Sequence, residues 1–584
     1  MSQKNENHLN ALRHSLAHLL AAAVMELYPK TKRTIGPAID NGFYFDFDFS
    51  EPISETDLPK IENKMRELLP KWHTFERYEL TAVDAKKEYP RNEFKHQLID
   101  EFSESGKKEV SFYKSGDYWD LCKGGHVKDM SEVSADAFKL SHLAGAYWKG
   151  DSKNKMLTRI YGLAFENKKD LNDYVAQQEL AMTRDHRKLG KQLDLYTMSP
   201  LVGSGLPLYT PRGTVVRDLL IQFSEQIRQK NGFKRVWSPH ITKKELYETS
   251  GHWAKFGNEL FLVKSQETND QLVMKPMNCP HHNEIYVSQP RSYRDLPLKL
   301  LETATAYRDE KTGELHGLSR VRSLTQDDSH AYCTPEQVDE VVASLITEVR
   351  HFYKVIDMQL KIRLSLRDSS EKYLGDQKLW DFAQTRIEEL AKQNGLDFYI
   401  AEGEAAFYGP KIDFMAIDAI GREWQVATVQ FDFVQPERFN LTYINADGQE
   451  ERPIMVHCAI MGSFDRFFSV FIEHTAGWFP LWVAPEQVRI ATINDAVKEY
   501  TKEVAAILDD TILMAPVKYN ELRYSLDDRN ESLGRKIHDA ADLKIPVLLI
   551  VGSKDAQLRQ VSVRLHNKEE KIDLKELKQY LQQL

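Results

Sequence analysis

The chain has 584 residues, is 42% hydrophobic and 28% charged, and carries a net charge of −9. That length predicts three or four domains of ordinary globular composition. No apolar run nears the ~18 residues of a membrane span, the opening MSQKNENHLN has neither a signal core nor an Arg-rich presequence, and the acidic balance argues against a nonspecific phosphate-neutralising binder. A cytoplasmic location is the expectation. The four cysteines, Cys122, Cys279, Cys333 and Cys458, are far apart in sequence and do not read as a disulfide framework.

In chain order, residues 8–28 read as a helix rich in Ala and Leu, ended by Pro29. His14 and His18 share one face of it. Far downstream comes Cys122-Lys123-Gly124-Gly125-His126, preceded by Asp120. Two histidines with a Cys/His pair could make a four-ligand metal site, or the histidines could be satisfied side chains on a half-buried helix. Ser15 stands where a zinc-protease helix would carry its glutamate, so that chemistry is excluded. Residues 170–189 predict a solvated connecting helix.

Gly203-Ser204-Gly205-Leu206-Pro207 lacks the Lys-Ser/Thr of a phosphate loop. Residues 217–231 predict an amphipathic helix capped at Gly232, and Arg235 to Pro239 a strand closed by proline. Residues 303–330 hold two alternating runs around a polar loop, Lys311 to Gly317, the grammar of two antiparallel strands. Arg308, Arg320 and Arg322 at its base suit an anionic ligand, because guanidinium grips phosphate oxygens at two points. A solvated surface hairpin is the competing reading. Cys279, His330 and His457 offer one thiolate and two imidazoles, a set suited to Zn²⁺, although their separation gives no spacing motif.

Residues 408–411 and 424–430 read as inner strands carrying polar side chains, which central strands rarely hold without a partner. In the tail, helix and strand alternate. Residues 495–508 predict a helix and 545–552 a fully buried strand. The tail's charges nearly cancel and give no RNA signal.

Arg308 with Glu310, the Gln326-Asp327-Asp328-Ser329-His330 run and Gly462-Ser463-Phe464-Asp465-Arg466 resemble motifs 2 and 3 of class II aminoacyl-tRNA synthetases. Cys279, His330 and His457 match the zinc ligands of the threonyl-tRNA synthetase family, and the likeness runs over nearly the whole chain. The resemblance implies an α+β multi-domain protein. Its parts would be an editing domain of the threonyl/alanyl second-additional type (1–169), a linker helix (170–195), an antiparallel-sheet catalytic core flanked by helices (196–485) and an α/β anticodon-binding domain (486–584). The 217–231 helix with the strand after it resembles motif 1, which implies a homodimer.

The resemblance also assigns residues. Arg308 would meet the α-phosphate of ATP, Glu310 the adenine amino group, Arg320 the γ-phosphate, and Arg466 adenine or the terminal phosphate. Gln326, Gln425 and Thr428 would touch the nucleotide. Asp328, Tyr408, Gln430 and Ser463 would line the threonine pocket, with Asp328 receiving the ammonium. One Zn²⁺ per subunit and Mg²⁺ with ATP are implied, with tRNA(Thr), ATP and L-threonine as partners.

His14, His18, Cys122 and His126, with Asp120 and Lys95, would form the editing pocket that hydrolyses seryl-tRNA. The family more often carries an arginine and a proline within the 123–125 segment. It also commonly begins with a small ubiquitin-like domain. Here the first helix starts within ten residues of Met1, so a form without that domain is expected. Arg523 and Arg529 are candidate nucleotide contacts in the tail, against a solvated-surface reading. Two rivals stand. The zinc trio disfavours a prolyl-type synthetase. The intact Arg308, Arg320 and Arg466 disfavour an RNA-binding regulator on a dead core.

Overall fold

The computed structural model describes residues 3–104, 109–517, 521–566 and 568–584. Two compact units, Met1–Leu180 and Ala181–Leu584, divide the chain.

In the first unit the long helix Gln3–Leu27 packs against a five-stranded antiparallel sheet built on the strands Gly42–Asp48, Met156–Ala164 and Phe138–Tyr147. Its Ala- and Leu-rich face is buried against Phe43, Phe45 and Phe47, and it stops before Pro29, which cannot continue a helix. A three-stranded sheet, Glu76–Thr81, Glu109–Ser115 and Tyr118–Leu121, carries the Cys122 segment at its end.

The second unit is organised on an eight-stranded sheet. Its order is Lys234–Arg235, Leu298–Tyr307, Ser323–Cys333, Ile454–Ser463, Glu423–Asp432, Lys411–Ile417, Gln359–Leu366 and Phe398–Glu402. The inner six strands are antiparallel; both edge strands pair in parallel. Three helices, Pro211–Lys230, Val338–Val355 and Phe464–Thr475, bury Leu220, Phe223, Val342, Leu345, Phe467 and Phe471 in the core formed with the sheet. The expected antiparallel core flanked by helices is thus observed. The tail is a five-stranded sheet. Tyr524–Asp527, Val488–Thr492 and Val547–Val551 run parallel in that order, and Gln560–Leu565 and Lys568–Asp573 continue antiparallel. Val547–Val551 is buried throughout, as its unbroken apolar run requires.

Several boundaries differ from the sequence expectation. The 170–189 helix is two helices, Lys168–Arg184 and His186–Gln192, because the Asp185 carboxylate accepts the Arg187 N–H and starts a second helix. The 217–231 helix begins earlier, at Pro211, with Thr210 as its N-cap. The expected strand 235–239 shrinks to Lys234–Arg235: Pro239 has no N–H to give, and the Ser238 N–H goes to the Glu302 carboxylate at 2.7 Å. Arg320 and Arg322 lie on the loop, since the strand opens at Ser323. Tyr408 to Pro410 precede their strand, which opens at Lys411. All four cysteines are buried and free. Among the described residues no helix is long and apolar enough to cross a membrane.

Candidate functional site

The centre of the large sheet carries the candidate site. Leu298–Tyr307 and Ser323–Cys333 pair in register, Glu302 opposite Asp328 and Ala304 opposite Gln326. The Arg308 N–H donates to Arg322 O at 2.9 Å and closes the base of the loop between them. Across that base the buried Glu310 carboxylate accepts from Arg320 Nε at 2.8 Å, and Arg322 Nε donates to Glu310 O at 3.0 Å. Arg308 lies 5.3 Å over the Phe256 ring, and its buried Nε has no hydrogen-bond partner among the described residues. Buried Gln326 Oε1 is likewise unpartnered among them. Burying such groups without partners is costly, so the cleft is built for a polar ligand. Arg466 closes it from the helix Phe464–Thr475, with Nε donating to Ser319 O at 3.2 Å.

Beside it, His330 and His457 face each other across adjacent strands, and Cys279 opens the helix Cys279–Val287. Their ligand-type atoms lie within 4.8 Å of one another, and all three residues are buried. Hydrogen bonding assigns the tautomers. His282 Nε2 donates to Glu302 at 3.2 Å, so its Nδ1 accepts from His330 Nδ1 at 2.7 Å. That leaves the lone pair of His330 Nε2 free, buried and without a hydrogen bond among the described residues. His457 Nε2 donates to Asp432 at 2.8 Å, leaving its Nδ1 free. An imidazole backed by a carboxylate, directly for His457 and through His282 for His330, is characteristic of metal ligands. Burial pushes the Cys279 thiol well up and the His330 imidazolium well down.

Next to this trio the Tyr408 ring stacks on His457 with centroids 5.0 Å apart, and its hydroxyl donates to Gln430 Oε1 at 2.6 Å. Gln430 in turn donates to Thr428 Oγ1 at 3.1 Å. Asp328 accepts from Asn278 Nδ2 at 3.3 Å, and burial pushes its carboxyl up. Ser463 Oγ accepts the Arg466 N–H at 3.4 Å and caps the helix. Gln425 is committed to neighbours: it donates to Asp413 and accepts from Arg363, both at 2.9 Å. Sequence reasoning missed Arg363, Lys411 and Asp413, a buried charge cluster in which Asp413 accepts from both cations. It also missed Asn278 and His252, the latter 3.8 Å from Cys279 Sγ. Of these, Asn278, directly before Cys279, and Lys411, at the end of the 408–411 stretch, carried a sequence signal.

The first unit holds a separate constellation. The ligand-type atoms of His14, His18, Cys122 and His126 lie within 4.8 Å of one another. Cys122 Sγ is 3.5 Å from His14 Nε2 and 3.4 Å from His126 Nε2. Lys95 and Asp120 form a buried ion pair at 2.8 Å, and Arg33 lies 3.4 Å from the same carboxylate. His14, His18, Lys95, Asp120 and Cys122 line a cavity of about 240 Å³. Burial pushes His18 down to about 3 and the Cys122 thiol up to about 11. Gly124 and Gly125 have φ of +96° and +92°, which a proline cannot adopt.

In the tail, Arg523 does not present a free guanidinium. It donates to the carbonyls of Trp482 and Ala484 at 2.8 and 3.1 Å, a structural role. Arg529 is held by Asp527 and Asp539 on the wall of a 470 Å³ cavity.

Residues 261–475 match the tRNA synthetase class II core domain (G, H, P, S and T). Residues 487–584 match an anticodon binding domain, and 110–161 the threonyl and alanyl tRNA synthetase second additional domain. A Giardia lamblia prolyl-tRNA synthetase in complex with prolyl-adenylate shares the fold, with a TM-score of 0.55 over 69% of this chain and 76% of that one, at 18% identity. Sheet, arginine cleft and matched core together define a class II tRNA synthetase. A Flavobacterium psychrophilum threonine–tRNA ligase is 45% identical, over 96% of this chain and 85% of its own length. One from Gloeobacter violaceus is 43% identical over 100% and 93%. The RNA binding domain of a Cryptosporidium parvum threonyl-tRNA synthetase superposes with a TM-score of 0.63 at 31% identity, covering 68% of this chain and 98% of that one. The chain belongs to the threonine–tRNA ligase family.

Proposed function

We propose that this chain activates L-threonine with ATP and transfers it to the 3′ end of tRNA(Thr). The reading is carried by one observation: His330 and His457 meet in register beside Cys279, against the arginine-lined loop. In the first step a threonine carboxylate oxygen attacks the α-phosphorus, the bond to the β-phosphate breaks, and pyrophosphate leaves. The carboxylate is already ionised at neutral pH, so no protein base is needed and positioning carries the step. Arg308 would hold the α-phosphate, Arg320 and Arg466 the outer phosphates, and Glu310 the adenine amino group. Fixed guanidinium charges stabilise the charge that develops on the phosphoryl oxygens. Gln326, Gln425 and Thr428 would line the nucleotide side, and Mg²⁺ would accompany ATP. In the second step a hydroxyl of the terminal ribose attacks the acyl carbon and AMP leaves.

Cys279, His330 and His457 would hold Zn²⁺, a fit supported by the two free imidazole lone pairs and the buried thiol. When bound, zinc would supply a Lewis-acid centre for the amino and hydroxyl groups of threonine. Asp328 would accept from the N–H groups of the threonine amino group, while Tyr408, Gln430 and Ser463 close the pocket.

Serine offers the same two groups and lacks only a methyl, a difference worth ~1–3 kcal/mol in a pocket. A second, hydrolytic site is the expected remedy. We assign seryl-tRNA hydrolysis to the cavity lined by His14, His18, Cys122, Asp120 and Lys95, with His126 beside Cys122, within an editing domain at 1–169. The 170–195 segment would link it to the catalytic region at 196–485, with 486–584 reading the anticodon. A cytoplasmic homodimer is the assembly this reading implies. The test is ATP–pyrophosphate exchange across the twenty amino acids, with metal analysis of the same sample. Threonine-dependent exchange with about one zinc per chain is expected; exchange driven by another amino acid overturns the reading.

A further inference from the structure

Asp185, His186 and Glu473 also bring ligand-type atoms within 4.8 Å of one another. Their hydrogen bonds leave no ring nitrogen for a metal. The Leu318 N–H donates to His186 Nε2 at 3.1 Å, so that nitrogen carries no proton. Nδ1 therefore carries it and donates to Glu473 Oε1 at 2.6 Å, and the His186 backbone N–H donates to the same oxygen at 3.0 Å. The other Glu473 oxygen accepts from Arg422. Burial favours the neutral carboxyl, but the hydrogen bonds from His186 and Arg422 hold Glu473 below its usual value. The ring is thus fixed in one tautomer, with a lone pair aimed at a backbone N–H.

That N–H belongs to the loop between the Leu298–Tyr307 and Ser323–Cys333 strands. Leu318 is fully buried and lies outside any strand or helix, so its N–H has no ladder to join and needs a partner. The next carbonyl, Ser319 O, accepts from Arg466. Arg466 and Glu473 are seven residues apart on one helix, two turns, and so share a face. One helix face therefore grips the loop twice, directly through Arg466 and through the His186 imidazole on Glu473. The approach is close: Gly317 has φ of +50°, and a Cβ there would lie 2.2 Å from His186 Nε2.

We propose that His186 is a positioning residue for ATP, holding residues 317–319 so that the loop presents Arg308, Glu310 and Arg320 in one arrangement. This rests on reading that loop as the nucleotide site. His186→Asn keeps a donor for Glu473 but cannot reach Leu318, whereas His186→Gln can place an amide oxygen where Nε2 lies. In threonine-dependent exchange, loss of that hydrogen bond should raise KM for ATP about tenfold in the Asn variant and under about threefold in the Gln variant. KM for threonine should stay within about twofold in both, because the change is confined to the loop. Equal behaviour of the two variants, or KM values for both substrates moving together, would overturn the proposal. An unmodified chain without threonine-dependent exchange would instead remove the underlying functional reading. If the His186 variants fail to fold, Gly317→Ala decides, since it pushes the loop off His186 from outside the core. It should raise KM for ATP alone, and an unchanged KM sinks the proposal.

Discussion

Arg228 and Asp327 form a fully buried ion pair, with an Arg228 Nη atom 3.4 Å from the carboxylate and another donating to the Asp327 carbonyl at 2.6 Å. The same carboxylate accepts the N–H groups of Ile460, Met461 and Gly462 at 3.0–3.2 Å. Those donors are free because the strands bulge there: Gln326 pairs with Ser463, but Asp328 pairs with Ala459. The pair therefore sets the spacing of Gln326, Asp328 and Ser463 along the floor of the candidate site.

Asp327→Asn should destabilise the second unit by about 3–5 kcal/mol, because it leaves a buried guanidinium uncompensated and removes an acceptor from backbone donors. Chemical denaturation followed by tryptophan fluorescence measures it. A loss below about 1 kcal/mol would mean that the bulge holds without the charge.

Glu348 predicts a pH dependence. It is buried, and its Oε2 has no hydrogen-bond partner among the described residues. Burial pushes its carboxyl up to about 7 from a usual value of 4.5. A raised native value means that the folded state binds the proton more tightly. Its contribution is full below pH 4.5 and is lost as pH rises through 7. Between 4.5 and about 7 the loss comes to about 3.5 kcal/mol, at about 1.4 kcal/mol per pH unit. The denaturation midpoint of the parent should fall from pH 5 to pH 8 more than that of Glu348→Gln. Parallel profiles would contradict this.

Cys279→Ser should lose zinc and lower threonine-dependent exchange by more than about 100-fold. Asp432→Asn, which replaces the carboxylate oxygen shared by His457 Nε2 and Gln435 Nε2, should weaken zinc by about 10–100-fold. Metal analysis and exchange assays of the two variants measure both effects. Unchanged metal content in Cys279→Ser removes the zinc assignment.

Replacing His14 and His18 together by alanine should leave threonine charging within about twofold and lengthen the lifetime of seryl-tRNA by roughly 10²–10⁴-fold, the range of acid–base contributions. Rapid clearance of seryl-tRNA by this variant would move the hydrolytic site elsewhere.

The legible parts of this molecule are those with a strong local pattern. The Gln3–Leu27 helix, the paired strands around residues 308–322 and the buried Val547–Val551 strand all follow from apolar periodicity and turn chemistry. The site residues came from motif resemblance, and the structure brings Cys279, His330 and His457 to one point. What stayed hidden depends on distant partners. Arg228 reads as an ordinary helix cation until Asp327 is placed against it. Arg363, Lys411 and Asp413 converge only when three strands pair. The break at Asp185 does not show in the 170–189 pattern, since a capping aspartate and a surface one are the same letter.

Strand Ile454–Ser463 carries His457 near its middle and turns at Ser463 straight into the helix bearing Arg466 and Glu473. The proposed zinc ligand His457 and the two residues that grip the 317–319 loop thus lie on one continuous strand–helix segment. If His457 selects the amino acid as proposed, moving that strand to retune specificity would also displace the loop proposed to bind ATP. New specificity is better sought from the Cys279 side, where the backbone is not shared.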